Sequence, residues 1–354
     1  MDETYRYTTP EQQIEKLKKQ KLSFSNEQRA KEILETYGYY NIINGYRDPY
    51  ITRSYGEKIY NPNVTFEQIY ALFVFDHSIR DAIILSMIDL EEHLRAVVAD
   101  IIAESFGTDH RNYLNKENYR DKGVSDSYFS RAKILKSLSE LAEKSRKEPI
   151  QYYRTKYGTI PPWILLKGTY FGTLINFIRL FKKEQRDKLV YALYGNQVNE
   201  ENIDAFKDLL SDTLFLCLDY RNLTAHGGRV YNYIPKKNVR ILCKEKPLCG
   251  LVQLLNALNY FAYDAPCAYL EKAMNDSLNK YCHAYPDDIV RLEQAIGIGI
   301  TIDNYVWINP NSKKYHTNPH CSGSKGCINT TLANAEKQGY IPCKKCCDAI
   351  VPIS

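Results

Sequence analysis

The feature of this sequence that most constrains its fold is a long helical pattern from about Phe66 to Phe106. Apolar residues recur there at every third or fourth position, at Ile69, Leu72, Phe73, Ile79, Ile83, Leu90, Leu94, Val97, Val98 and Ile101. This spacing is typical of a helix with one buried face. Because such a face must be covered by other elements, the pattern predicts the central helix of a bundle.

Further helical patterns predict a mainly α protein. They cover residues 11–21, 26–37, 125–147, 168–182, 184–194, 200–226 and 250–280. From about Gly297 the pattern changes to short β-prone runs, and a helix is expected again at Leu332–Gln338. We therefore expect a helical domain at 1–240, a helical extension at 241–296 and a small β/α module at 297–354.

Four charged residues, Asp76, Arg80, Glu91 and Arg95, interleave with the apolar residues of the long helix. They fall within an arc of about 100° on a helix of 3.6 residues per turn. As exposed ion pairs they would each contribute only a few tenths of a kcal/mol. Because they alternate with apolar positions, we interpret them as a partly buried structural network.

The segment Asp219–Arg229 carries the groups that a metal-free RNA-cleaving site needs, namely Arg221, Asn222 and His226, followed by two glycines. RNA supplies its own nucleophile in the 2′-hydroxyl, so the protein must only move protons and neutralise charge on the phosphate. Histidine suits the first task and the planar guanidinium of arginine suits the second. An arginine and a histidine at a helix C-terminus could equally cap carbonyl groups.

Helix geometry separates the two reactive groups of this segment. Asn222 and His226 share a helix face, whereas Arg221 and His226 lie about 140° apart. No other histidine in the sequence has an arginine five to seven residues before it. A second copy related by a two-fold axis would supply the missing set, so we expect a homodimer, or a partner that replaces one copy.

Several blocks resemble the Abi-like abortive-infection family, the AbiD/AbiF group. They are Thr9–Ile14, Tyr39–Tyr46, Phe75-Asp76 with Arg80, Asp89–Glu91 with Arg95, Pro162–Ile164 with Phe171–Leu174, and Arg221–His226, which together span about two-thirds of the chain. The resemblance implies a HEPN-type helical bundle, an Arg-x4-His endoribonuclease site that needs no metal for catalysis, and a role in bacterial antiphage defence.

The resemblance carries the site pattern onto Arg221, Asn222 and His226, with Arg229 and Asn232 as downstream matches. In close relatives a second histidine often follows the first, whereas Gly227 stands there in this sequence. Proton transfer would then fall to His226. The pattern leaves two alternatives open: a non-catalytic protein that holds a structured small RNA, and the toxin of a toxin–antitoxin pair with an antitoxin partner.

Basic residues directly after the site are candidate RNA contacts. These are Lys236, Lys237 and Arg240, together with Arg229. The Lys16–Lys21 segment is a second basic patch, for which a solvated helix face is the simpler interpretation. The net charge of +5 permits nucleic-acid binding without requiring it.

The cysteines point to a metal site at the C-terminus. Five of the ten lie in the last 34 residues, and a closed set of His316, Cys321, Cys343 and Cys346 would suit a structural Zn²⁺ ion. His320, Cys327 and Cys347 are possible substitutes. The segment also resembles a small zinc-binding module found at the ends of various bacterial nuclease and DNA-processing proteins, with matches at Ala335, Gly339 and Tyr340.

The amino terminus lacks the basic start and apolar run of a signal peptide, and no stretch of about 18 apolar residues is present. We therefore expect a soluble cytoplasmic protein without a membrane partner.

Overall fold

The computed structural model describes residues 7–54, 57–121, 130–240, 249–300, 305–317, 321 and 326–347. Its helices are α1 (Pro10–Lys19), α2 (Glu27–Tyr37), α3 (Phe66–Phe106), α4 (His110–Tyr113), α5 (Arg131–Lys144), α6 (Ile150–Tyr157), α7 (Pro162–Leu165), α8 (Phe171–Ile178), α9 (Lys183–Tyr194), α10 (Ile203–Ala225), α11 (Gly250–Asn259), α12 (Ala265–Ala284), α13 (Ile289–Ile296) and α14 (Leu332–Lys337). The strands are β1 (Ile51–Ser54), β2 (Glu57–Tyr60), β3 (Tyr305–Asn309), β4 (Lys314–His316), β5 (Ile328–Thr331) and β6 (Ile341–Pro342). The predicted mainly α fold with a small C-terminal β/α module is confirmed.

The chain divides into two compact units. One unit contains residues 1–79 and 273–354, and the other contains residues 80–272. The boundaries that the sequence suggested, near residues 240 and 296, remain predictions.

The unit of residues 80–272 is a helical bundle. The part of α3 that lies in it buries Ile83, Leu90, Leu94 and Val98 completely. Of the apolar positions that predicted α3, only Val97 is half-buried rather than buried. The observed bounds of α3 match the predicted helix, because a strong apolar periodicity fixes both the type and the length of an element.

Helix α10 carries the predicted catalytic residues Arg221 and Asn222 in its last turns, and His226 directly follows the helix. It buries Leu210, Leu214, Cys217 and Tyr220, which recur at intervals of three or four residues. This apolar stripe holds one face of α10 in the core. Arg221 follows the stripe and therefore points away from it, toward solvent.

The region between α11 and α12 corrects one predicted element. The sequence favoured a single helix over 250–280, but α11 ends at Asn259 and α12 begins at Ala265. Pro266 stands in the first turn of α12, where its missing N–H leaves no hydrogen bond unmade. The helical periodicity continues across this break, so the pattern alone did not reveal it.

In the unit of residues 1–79 and 273–354, the first two helices both have a hydrogen-bonded N-terminal cap. Thr9 and Gln12 form a capping box at the start of α1, and Asn26 caps α2. Between the helices predicted at 26–37 and 66–106 the sequence pattern predicted no element, but β1 and β2 pair there as an antiparallel hairpin. Short β-runs with charged tips carry little periodic signal, which explains the omission.

A buried carboxylate joins three segments of this same unit. Asp288 is 2% exposed, and its Oδ2 accepts hydrogen bonds from Tyr281 (2.5 Å), Tyr50 (2.9 Å) and Gln68 (2.9 Å). A buried carboxylate is stable only when such donors replace its water shell. No local pattern predicts this network, since its members are far apart in the chain.

The C-terminal module contains a sheet with strand order β5-β3-β4-β6. β3 pairs antiparallel with both β4 and β5, and β4 pairs parallel with β6. Its small core contains Val306, Ile308, Ala335 and Tyr340. Such a small apolar core contributes little stability without a further restraint.

Candidate functional site

Hydrogen bonds at the end of α10 fix the backbone position of His226. His226 directly follows the last helical residue, and its N–H donates to the carbonyl of Asn222 (3.1 Å). The Gly227 N–H donates to Thr224 O (3.1 Å) and the Gly228 N–H donates to Leu223 O (2.8 Å). This pair of bonds is a Schellman motif. The predicted glycine stop is therefore confirmed.

Both glycines of this stop are required by the local geometry. Gly227 has a φ of +70°, a left-handed conformation that strains residues with a Cβ. A Cβ added at Gly228 would lie 2.2 Å from Leu223 Cδ1. A second histidine at position 227, as in the relatives that the sequence resembles, would therefore be strained in this backbone.

The three predicted catalytic side chains are all exposed at this helix end. Arg221 Nη1 lies 3.5 Å from Asn222 Oδ1. Within the described ranges, the His226 imidazole has no hydrogen-bond partner, and Arg221 is therefore not bonded to it. A single copy thus presents a free imidazole and a separate guanidinium–amide pair.

The α3 helix contacts the glycine stop from inside the same unit. Arg80 is 9% exposed, and its Nη1 donates to the Gly227 carbonyl (2.9 Å). A charged donor on an otherwise unpaired helix-end carbonyl stabilises the turn. Sequence reasoning placed Arg80 in a structural network but missed this partner, which lies 147 residues away.

The Glu91–Arg95 pair of α3 combines a buried carboxylate with a half-buried guanidinium. Arg95 Nη2 lies 2.5 Å from Glu91 Oε1 and donates to the Thr169 carbonyl at 2.8 Å. Burial raises the pKa of the Glu91 carboxyl, and the charges of Arg95 and Arg221 oppose this rise. The burial of Glu91 and half-burial of Arg95 agree with the interpretation of these residues as part of a partly buried structural network.

The predicted RNA contacts differ in their exposure to solvent and in whether a carboxylate pairs with them. Lys236 and Lys237 are exposed. Burial raises the pKa of the Asp219 carboxyl, and the charges of Lys236 and Lys237 reduce this rise. The Arg229 guanidinium lies 5.9 Å from the centre of the Tyr231 ring. Lys236 and Lys237 therefore present positive charge to solvent beside the site.

Arg240 is paired with carboxylates of α10. It binds Asp212 through two nitrogens, at 2.8 and 3.2 Å, and its Nη2 lies 3.2 Å from Asp208. This pairing offsets its charge and anchors the segment after the site. Its role as an RNA contact stays a prediction.

The four predicted metal ligands come together in the C-terminal module. The potential ligand atoms of His316, Cys321, Cys343 and Cys346 all lie within 4.8 Å of one another, and this cluster could hold a metal ion. His316 and Cys343 are buried, and Cys321 and Cys346 are half-buried. A hydrogen bond from the Lys345 backbone amide lowers the pKa of the Cys343 thiol, which favours the thiolate that a metal requires.

Two of the possible substitute ligands border this cluster. Cys347 Sγ lies 4.0 Å from Cys346 Sγ, and it donates to the Tyr315 carbonyl at 3.5 Å. The pKa of the Cys327 thiol is raised, mainly by burial and next by the nearby Cys321. His320 lies outside the described residues. The four residues of the cluster are therefore the set that the described fold brings together.

No helix in the described part of the chain combines the length and apolar character needed to cross a lipid bilayer. Comparison with known proteins finds no matching curated protein and no matching solved structure. The family model described as Abi-like protein matches residues 32–232, which is more than half of the chain. This match includes α3, α10 and the Arg221–His226 segment. The chain belongs to the Abi-like protein family.

Proposed function

We propose that this protein is a HEPN-type, metal-independent endoribonuclease of bacterial antiphage defence. Its family suggests a role in abortive infection. The observation that carries the catalytic part is the placement of Arg221, Asn222 and His226, all exposed, at a helix end fixed by a Schellman motif and by Arg80. A rigid support under exposed acid–base and guanidinium groups is what proton transfer at a phosphate needs.

In this mechanism His226 takes the proton of the RNA 2′-hydroxyl or donates a proton to the leaving 5′-oxygen. Arg221 binds the scissile phosphate and neutralises the charge that develops on it. Asn222 orients Arg221, beside which its amide oxygen lies. Lys236 and Lys237 bind adjacent phosphates. Attack by the 2′-oxygen forms a new bond to phosphorus and breaks the bond to the 5′-oxygen, which leaves a 2′,3′-cyclic phosphate and a 5′-hydroxyl.

The separation of Arg221 from His226 supports a two-fold dimer as the active form. One copy presents these groups in different directions, so a cleft that contains both would combine His226 of one copy with Arg221 of a second copy. Such a dimer would also double the density of Lys236 and Lys237 around the RNA.

The end groups of the products test the reaction directly. Purified protein incubated with total RNA in EDTA is expected to cleave it and to leave 2′,3′-cyclic phosphate and 5′-hydroxyl ends, which ligation-dependent sequencing distinguishes from 3′-hydroxyl ends. Products with 3′-hydroxyl ends would contradict the mechanism. An intact RNA that co-purifies at one copy per protein, without cleavage, would favour a non-catalytic RNA holder. Activity that a co-expressed neighbouring gene product suppresses would identify a toxin with its antitoxin.

Mixing two inactive variants tests the composite cleft. Arg221→Ala and His226→Ala, co-expressed with different tags, should regain about a quarter of the wild-type cleavage rate, since half of the dimers are mixed and each has one intact cleft. If each cleft used groups of one chain only, the mixture would remain as inactive as the single variants. The tagged single variants, purified alone and mixed after assembly, are the control.

The cluster at His316, Cys321, Cys343 and Cys346 is proposed to bind a structural Zn²⁺ ion. Tetrahedral zinc with bonds of about 2.3 Å to sulfur and about 2.0 Å to nitrogen separates two sulfurs by about 3.8 Å and a sulfur from a nitrogen by about 3.5 Å. Cys321 and Cys343 have their sulfurs 4.0 Å apart, and Cys346 Sγ lies 3.5 Å from His316 Nδ1. Four protein ligands complete a tetrahedron and leave no position for a substrate, so catalysis would not involve this ion.

A further inference from the structure

A basic cleft lies in the N-terminal part of the chain, in the unit that does not contain Arg221 and His226. Its volume is about 660 Å³, and its lining includes Lys16, Gln20, Tyr39, Asn44, Arg47 and Lys58. This volume lies within the range of about 300–1,000 Å³ that is usual for small-molecule sites. The Lys16–Lys21 patch, which sequence reasoning treated as a solvated helix face, thus forms one wall of a concave site.

Three local elements shape the basic cleft. α1 ends beside it, and the Tyr60 N–H donates to the Gln20 carbonyl (2.9 Å), which fixes β2 against that end. Residues Tyr40–Asn44 form a short π-helix, an irregularity that is frequent at functional sites. The Arg47 N–H donates to the Ile43 carbonyl (3.0 Å) directly after it. The cleft is therefore built from backbone-anchored positions rather than from free side chains on a surface.

The cleft concentrates positive charge without carboxylate partners. The charge of Arg47 is the largest of several causes that lower the pKa of Lys58, followed by burial and Arg53, and Asp48 opposes them only in part. Among the residues that the structure describes, no carboxylate lies within 4.0 Å of Arg47 or Lys58. Two cations held this close repel each other, and an anion between them would relieve the repulsion.

Buried polar atoms around the cleft lack protein partners. In the described ranges, no group bonds to Gln20 Oε1, Asn44 Oδ1 or Arg47 Nε. Tyr60 is only 3% exposed, and the hydroxyls of Tyr39 and Tyr60 both interact with the Arg47 side chain, through its charge and through a hydrogen bond. Buried polar groups almost always have a partner, so several unpaired ones at one place indicate a ligand. Nitrogen and hydroxyl donors lie here together with amide oxygens that accept.

We propose that the basic cleft binds a nucleotide, with its phosphate at Arg47 and Lys58 and with ribose or base donors at Gln20 and Asn44. Arginine and lysine beside tyrosine hydroxyls suit phosphate oxygens. A ligand of phosphate alone would leave the two amide oxygens unpaired, whereas a nucleotide offers hydroxyl and amino groups to them. The nucleotide is either free or one unit of an RNA strand. This binding does not depend on the ribonuclease reaction.

Binding is measured by isothermal titration with ATP, with AMP and with a short 2′-O-methyl RNA, which lacks the free 2′-hydroxyl and cannot be cleaved by the proposed mechanism. Wild-type protein should bind at least one of these probes. Binding of ATP or AMP identifies a free nucleotide as the ligand, and binding of the RNA alone identifies a unit of a strand. Absence of binding for all three probes would overturn the proposal, whatever the cleavage assay shows.

Variants locate the binding in the cleft. Arg47→Gln should weaken binding about tenfold or more, because it removes a charged donor. Tyr39→Phe keeps the ring and removes only the hydroxyl, so it should weaken binding several-fold without unfolding the protein. Arg146 is exposed and lies outside the cleft, so Arg146→Gln is the matched control and should bind like the wild type. Equal affinity in Tyr39→Phe, Arg47→Gln and the control would refute the assignment.

Discussion

Replacing His226 with alanine is expected to reduce RNA cleavage by about 10²–10⁴-fold, the usual contribution of a positioned general acid or base. The fold should be unaffected, because the exposed imidazole has no partner in the described structure and the backbone N–H of residue 226 keeps its bond to Asn222. The measurement is the initial rate of cleavage of a fluorescent single-stranded RNA in EDTA, together with the thermal unfolding midpoint.

His77→Ala is the matched control for this experiment. His77 is also an exposed histidine, but it belongs to the unit that does not contain the α10 site. Its variant should cleave at the wild-type rate. Cleavage by His226→Ala at the wild-type rate would exclude His226 as the proton-transfer group. Equal losses in both variants would show that the activity depends on something other than the α10 helix end.

Replacing Cys343 with serine is expected to abolish zinc binding and to unfold the C-terminal module. The free energy of structural zinc binding, about 10–16 kcal/mol in small zinc domains, is largely folding free energy. The module core of Val306, Ile308, Ala335 and Tyr340 is too small to replace it. Elemental analysis should find about one zinc per wild-type chain and none per variant chain, and limited proteolysis should cut the variant after about residue 297.

Cys347→Ser is the control that tests the choice of ligands, because it removes a possible substitute ligand and leaves the four proposed ligands in place. Cys347 neighbours Cys346 and donates to the Tyr315 carbonyl, but it lies outside the four-residue cluster. This variant should therefore keep its zinc and its resistance to protease. Loss of zinc from Cys347→Ser with retention in Cys343→Ser would replace the proposed ligand set. A wild-type protein without any bound metal would contradict the site altogether.

Local pattern was sufficient for much of the helical framework. The apolar periodicity of 66–106 fixed α3 at both ends, and Gly227-Gly228 fixed the end of α10, because each signal lies within a few consecutive residues. The spacing of His316, Cys321, Cys343 and Cys346 likewise identified a set that the fold brings within 4.8 Å. The hairpin at β1 and β2 escaped prediction because its short strands carry little periodic signal, and the break before α12 escaped because the helical pattern continues across it.

The sequence by itself determined the type of most elements, the stop at His226 and the identity of the potential metal ligands, because these follow from backbone conformation and short spacing. Only the tertiary structure decided that Arg80 binds the Gly227 carbonyl, that Arg240 pairs with Asp212, and that Lys58 and Arg47 line one cleft. These pairings join residues that are distant in the chain. They depend on how helices and strands pack, and packing is a property of the whole core that no local pattern encodes.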